Sequence, residues 1–196
     1  MEPKLSNNRA LRIVRAAREE FSRRGFAGAR VERIAKAAEV NKQLLFYYYH
    51  SKRGLFQAVV RSGVTELESA LTALPSSTGK PLERLQDALA ALFEFLTAHP
   101  DLVTLISHAD RMDAAPFAPA IRRLVVILAE GQGLGQVRGD LDPHLAAAQA
   151  VVLMVAYLRL ESLIAASAPP LGADESTLRE RWKRAAVDLI VNGVRA

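Results

Sequence analysis

Val40-Asn41-Lys42-Gln43-Leu44-Leu45-Phe46-Tyr47-Tyr48-Tyr49-His50-Ser51-Lys52-Arg53-Gly54-Leu55-Phe56 is the most informative stretch of this 196-residue chain. Asn41 is a good helix N-cap, and Ser51 is a second one. Between them fits one short helix, residues 42–48. It turns Lys42, Gln43 and Tyr47 toward one side, and Leu45 and Tyr49 toward a core. Gln pairs with adenine edges, and Lys with guanine O6/N7 or phosphate. Tyr hydroxyls, and Lys52 at a helix start, suit phosphate contacts that set register. The alternative for residues 46–49 is a plain aromatic core patch. Four successive aromatics cannot all face inward on a helix, so one or two of them must be exposed.

Immediately upstream, Val31, Ile34, Ala35 and Ala38 mark the inner face of another short helix, residues 31–38. Only Glu39, Val40 and Asn41 separate the two. Two short helices joined by three or four residues form a helix-turn-helix, and small side chains such as Ala35 and Ala38 let the helices cross closely. A first helix, residues 7–24, carries Ile13, Ala17 and Phe21 on one face and Arg9, Arg12, Arg15, Arg18 and Arg23 on the rest. Gly25 follows as its C′ residue, and Phe26 closes the cap.

The charge is divided along the chain. Residues 1–62 hold 14 Lys/Arg against 5 Asp/Glu, a net +9; residues 63–196 hold 12 against 16, a net −4. A basic head on an acidic body implies a polyanion for the head, nucleic acid or an anionic membrane, with a solvated basic face as the plain alternative. With no Cys, disulfides, thiolate catalysis and Cys-based zinc sites are excluded. No apolar signal core is seen, and the longest apolar run, residues 145–158 with Gln149 inside it, is shorter than the ~20 residues of a membrane span. A cytoplasmic protein without a membrane partner is expected.

Residues 9–56 resemble the DNA-binding domain of the tetracycline-repressor (TetR) family of transcriptional regulators. The resemblance rests on Ala16-Ala17, Phe21, Gly25-Phe26, Ile34-Ala35, Ala38, Val40, Leu45, the aromatic run 46–49, Ser51-Lys52 and Leu55. It implies DNA contacts at Lys42, Gln43, Leu44, Phe46, Tyr47, Tyr48 and Lys52, with Arg30 as a further phosphate contact. Four positions depart from the family's usual residues: Phe46 replaces Tyr, Leu44 replaces Thr, Glu39 replaces Gly in the turn, and Arg30 replaces a capping Thr. The rest of the chain is similar in layout only.

No strand pattern is found; prolines fence the remaining segments. Helices are expected at 52–74, 81–98, 100–112, from Pro116 or Pro119 to 131, 143–167 and 176–194. The expectation is an all-α chain of about nine helices. Residues 1–56 would form a three-helix helix-turn-helix domain, and residues 57–196 a larger helical domain for effector binding and dimerisation. In the last helix Leu178, Trp182, Ala185 and Leu189 recur at helical spacing. The helix before it, which includes Val152, is apolar nearly all round and so is expected to be buried on all sides. In the resembled family this pair forms a four-helix bundle with its twin; a monomeric core is the alternative. Candidate pocket residues are Phe93, Leu96, Ile106, His108, Arg111, Met112, Phe117, Ile121, Gln149, Leu153 and Tyr157. Gln149 reads equally as a satisfied buried amide or a dimer contact, and His108 and Arg111 as surface residues.

Gly131-Gln132-Gly133-Leu134-Gly135 follows a helix and lacks Lys-Ser/Thr, so it is no phosphate loop. No nucleophile elbow, zinc spacing or other catalytic constellation is present, and no catalytic residue, metal or cofactor is expected. The partners expected are double-stranded DNA with a near-palindromic operator, a second copy of the chain, and an unidentified small effector that releases a repressor. Two alternatives stay open: a helix-turn-helix DNA binder with no small ligand, and a basic-headed adaptor for membrane or protein.

Overall fold

Helical spacing and proline punctuation give nine α-helices among the described residues, and no strand. The computed structural model describes residues 3–73, 79–107, 117–167 and 175–196. The helices are α1 (Pro3–Gly28), α2 (Val31–Ala37), α3 (Lys42–Tyr49), α4 (Lys52–Thr72), α5 (Pro81–Ala98), α6 (Pro100–Ser107), α7 (Ala118–Gly133), α8 (Pro143–Ser167) and α9 (Glu175–Val194). Two compact units result: Met1–Glu66 with Pro100–Pro116, and Leu67–His99 with Phe117–Ala196.

In the first unit, Ile13, Ala17, Phe21, Ile34, Leu45, Leu55, Phe56 and Val59 are fully buried. Phe56 meets Phe21 and Phe26 edge-on, with centroids 5.0 and 5.3 Å away. The first helix starts earlier than its apolar face indicated and does not end at Arg24. It breaks at Gly25 (φ 65°, ψ 174°) and one more turn follows. That positive φ is open to glycine at little cost, and the break lets Phe26 fold back onto Phe21 and Phe56. Arg18 of α1 is clamped by two carboxylates: Glu66 of α4 (2.7 and 3.0 Å) and Asp101 of α6. Burial raises the Asp101 pKa, but the hydrogen bond and charge of Arg18 outweigh it and hold the carboxyl below its ordinary value.

In the second unit, α5 buries Leu85, Ala88, Leu89, Leu92, Phe93 and Leu96, and α7 buries Leu124, Ile127 and Leu128. Trp182 of α9 stacks on Tyr157 of α8 at 4.2 Å and on Phe93 of α5 at 5.9 Å. Arg179 grips Glu161 with two bonds of 3.0 Å. Asp142 caps α8, accepting the N–H groups of His144 and Leu145.

Helix ends differ from expectation at several points. The fourth helix closes at Thr72, and residue 74 lies outside the described residues. Helix α6 is described to Ser107, and the expected end at Met112 lies outside the described residues. Helix α7 begins at Ala118 and runs two residues past Gly131.

Within the single chain α8 is buried on one face, and the expected burial of its other faces would need a second molecule. Ala147, Ala150, Val151, Met154 and Tyr157 are buried, while Leu145, Val152, Leu160 and Leu163 are exposed. One chain supplies neighbours for only one face of this helix. By length and composition the 22-residue stretch Pro143–Ile164 could cross a membrane, because it continues past residue 158 through Arg159 and Glu161. The buried face packs within the unit, as a core helix does, so this one stretch is weak evidence for a span.

Candidate nucleic-acid interface

Local chemistry fixes α3 at both ends. The Asn41 side chain accepts the Leu44 N–H at 2.7 Å, satisfying one of the orphan donors of the first turn. At the far end, Ser51 Oγ accepts the Gly54 N–H at 3.0 Å and starts α4. A methyl group on Gly54 would overlap the Tyr49 carbonyl, so only glycine allows α4 to begin so close to the end of α3.

The inner face of α3 is anchored by two side chains. Leu45 is fully buried. Half-buried Tyr49 donates its hydroxyl to the Ala10 carbonyl of α1 at 3.2 Å. Burial, and then neighbouring Tyr48, raises the Tyr49 pKa, which keeps that donor protonated. The opposite face is open: Lys42 and Gln43 are exposed, and Tyr47 is 76% exposed. Leu44, Phe46 and Tyr48 are half-buried along its edges. Lys42 pairs with Glu32 of α2 at 2.5 Å and lies 5.6 Å over the Phe46 ring. The Lys42 hydrogen bond is the main reason the Glu32 pKa lies below its ordinary value.

The turn between α2 and α3 carries Glu39 at φ 54°, where glycine is at ease and other residues are strained by about 1 kcal/mol. Glu39 occupies it with its carboxylate 3.1 Å from Arg12 of α1. Ala35 and Ala38 are buried at the helix crossing.

Arg30 is the N-cap of α2, exposed and with no side-chain cap bond. Glu20 of α1 supplies the missing acceptor: its carboxylate takes the Arg30 N–H at 3.1 Å and pairs with Arg33 at 3.5 Å and Arg24 at 3.8 Å. Sequence reasoning missed Glu20, because ten residues of separation and a glycine break hide the contact. The Lys52 Nζ donates to the Ala27 carbonyl at 3.2 Å and lies 4.9 Å over Phe26, so it ties α4 to the end of α1.

The pocket candidates are scattered. Phe93, Leu96 and Tyr157 are buried in the second unit's core, with Phe93 and Tyr157 5.8 Å apart. Phe117, Ile121 and Leu153 are half-buried. Gln149 is exposed, which removes the reading of it as a buried amide. The side chain of Ile106, and all of His108, Arg111 and Met112, lie outside what is described. Of the interface candidates, Val152, Ala185 and Leu189 are exposed, Trp182 is half-exposed, and Leu178 is buried within the unit.

A capped short helix presents a lysine, an amide and a phenol on one face, with a second short helix braced behind it; this is the recognition unit of a helix-turn-helix DNA-binding regulator. Comparison with known proteins agrees. Residues 13–59 match the bacterial regulatory proteins, tetR family. The HTH-type transcriptional regulator YdgC of Bacillus subtilis is 30% identical over 156 residues, 75% of this chain and 77% of that one. The HTH-type transcriptional repressor NicS of Pseudomonas putida is 29% identical over 161 residues, 77% and 71% of the two chains. The crystal structure of the putative transcriptional regulator SCO4942 from Streptomyces coelicolor superposes with a TM-score of 0.74 at 30% identity, covering 94% of this chain and 97% of that one. The chain belongs to the tetR family and is a DNA-binding transcriptional regulator.

Proposed function

We propose that the chain acts in the cytoplasm as a homodimer, with each α3 in a major groove of a near-palindromic operator. On this reading, binding of a small effector in the second unit releases the repressor. The observation that carries it is the open face of α3: Lys42, Gln43 and Tyr47 exposed beside a fully buried Leu45. Gln43 is the base reader; Lys42 reads guanine or phosphate. Leu44 offers apolar contact to a thymine methyl, while Tyr47, Tyr48 and Arg30 hold phosphates. Phe46, without a hydroxyl, lies with its ring face under Lys42 and offers the DNA backbone no hydrogen bond. Lys52 acts by fixing the start of α4 as much as by its charge.

The exposed aliphatic stripe of α8 and the exposed Leu189 of α9 support dimerisation, since two-fold pairing of equivalent surfaces is the commonest way to cover such faces. Val152, Ala185 and Leu189 are the interface residues this reading uses, with Trp182 behind them. No catalytic role is part of the proposal.

Selection of the purified protein against a random duplex library at near-physiological salt tests it. The expected result is a palindromic motif with half-sites about one helical turn or more apart. An unstructured or non-palindromic pool would refute the dimeric reading.

A further inference from the structure

The second unit carries a groove of about 380 Å³ lined by Glu68, Leu71 and Thr72 of α4 and by Pro119, Arg122, Arg123 and Val126 of α7. That volume falls in the ~300–1,000 Å³ range of small-molecule sites. Two neighbouring arginines line it, and they are not equivalent. Arg122 is exposed and pairs with Glu68 at 3.2 Å. The Nε of Arg123 is buried with no hydrogen-bond partner among the described residues. Buried donors in folded proteins are nearly always paired, and an arginine cannot shed its proton to escape the cost. A buried charged donor beside a groove wall therefore calls for an acceptor that the described residues do not supply.

The groove's surroundings specify that acceptor further. The first turn of α7 holds no acidic residue and takes no side-chain cap from Phe117, so the start of the helix adds positive potential beside Pro119. The apolar part of the lining is Leu71, which is buried, Pro119, and Val126, which is 61% exposed; Thr72 and Glu68, the latter paired with Arg122, complete it. A planar guanidinium matches a carboxylate or phosphate in a two-bond fork.

From these features we infer that the groove binds a small organic anion, with a carboxylate or phosphate head on Arg123 and a short apolar tail along Leu71, Pro119 and Val126. This deepens the effector reading above and rests on it for its consequence, which is weaker operator binding when the groove is filled. Arg122, paired with Glu68, offsets the one carboxylate of the lining that would repel the anion.

Isothermal titration calorimetry of the full chain with octanoate, octyl phosphate, octyl glucoside and inorganic phosphate tests the site. At least one of the two anionic amphiphiles should bind roughly tenfold or more tightly than the neutral glucoside, as expected for a charge-assisted pair. Preference for octanoate assigns a carboxylate head, and preference for octyl phosphate a phosphate head. Arg123→Gln should remove the anion's advantage, Arg123→Lys should keep part of it, and Arg122→Gln should weaken it less. Equal binding of glucoside and both anions, or an anion advantage that survives Arg123→Gln, overturns the inference. Operator affinity of unliganded Arg123→Gln, followed by fluorescence anisotropy, should equal wild type. If wild type binds its operator but shows no anion preference, this inference alone fails; if wild type binds no operator, the repressor reading fails.

Discussion

Helices α3 and α8 both expose more large side chains than a lone chain can cover, but the exposed chemistry is different. On α3 the uncovered face is Lys42, Gln43 and the phenol of Tyr47, with Lys42 neutralised by Glu32. On α8 it is Leu145, Val152, Leu160 and Leu163, with Val152 65% exposed. Amides, cations and phenol hydroxyls keep their hydrogen-bonding capacity in water and can exchange it for base edges and phosphates. Aliphatic groups gain only by leaving water, at roughly 25 cal/mol per Å². The first surface fits a hydrated polyanion, and the second fits another apolar face. Exposure alone does not name a partner; the atoms exposed do.

The contrast breaks most visibly on α8 and α9. Val152→Glu combined with Leu189→Glu should leave the fold intact, because both positions are exposed, yet convert a dimer to a monomer in sedimentation equilibrium. Operator affinity should then fall by about 10²–10⁴, the avidity that linking two half-site readers supplies. A substitution on the open face of α3 should do something else. Gln43→Ala should preserve the dimer and the fold and cost about 1–3 kcal/mol of discrimination at one base pair of each half-site. Binding to a panel of single-substituted operators measures this. Lys42→Ala should reduce the slope of log affinity against log salt by ~0.9 for each phosphate left without its cation, while freeing Glu32 to repel the backbone.

A third effect concerns what holds α1 and α6 to α4 within the first unit. The Asp101 pKa in the folded chain lies below its ordinary value, so the folded state binds fewer protons than the unfolded one as pH falls through that range. The stabilisation is therefore complete above about pH 5, is lost as pH drops through and below the usual aspartate value of ~3.9, and rises with pH within that window. Thermal melts of Asp101→Asn should lose part of this acid slope while α3 keeps its cap. The smallest change is Glu39→Gly. It relieves the positive φ and gains up to about 1 kcal/mol, offset by an exposed Arg12 pair worth about 0–1 kcal/mol. Urea unfolding should show a net gain below about 1 kcal/mol, with operator preference unchanged.

What could be read from the sequence follows the range of the interactions involved. The α2–α3 turn was legible because its signals are local: Asn41 caps three residues ahead, alanines mark the crossing, and Leu45 and Tyr49 share one face. Pro81 and Pro143 placed the starts of α5 and α8 for the same reason. The Glu20 cap of α2, the Arg18 clamp and the Trp182 stack were not legible, since each joins residues brought together only by packing. An all-apolar helix such as α8 reads the same whether its second face meets the rest of its own chain or another molecule. Within a single chain the burial expected from sequence is met on one face, and the other face stays exposed.

The central claim is that the open face of α3 reads sequence. Fluorescence anisotropy of wild type and Gln43→Ala against the selected operator and a scrambled duplex, at one near-physiological salt concentration, tests it most directly. The account predicts that Gln43→Ala keeps its affinity for the scrambled duplex and loses roughly tenfold or more of its operator preference. An operator preference equal to wild type would contradict it and would move sequence recognition off this face.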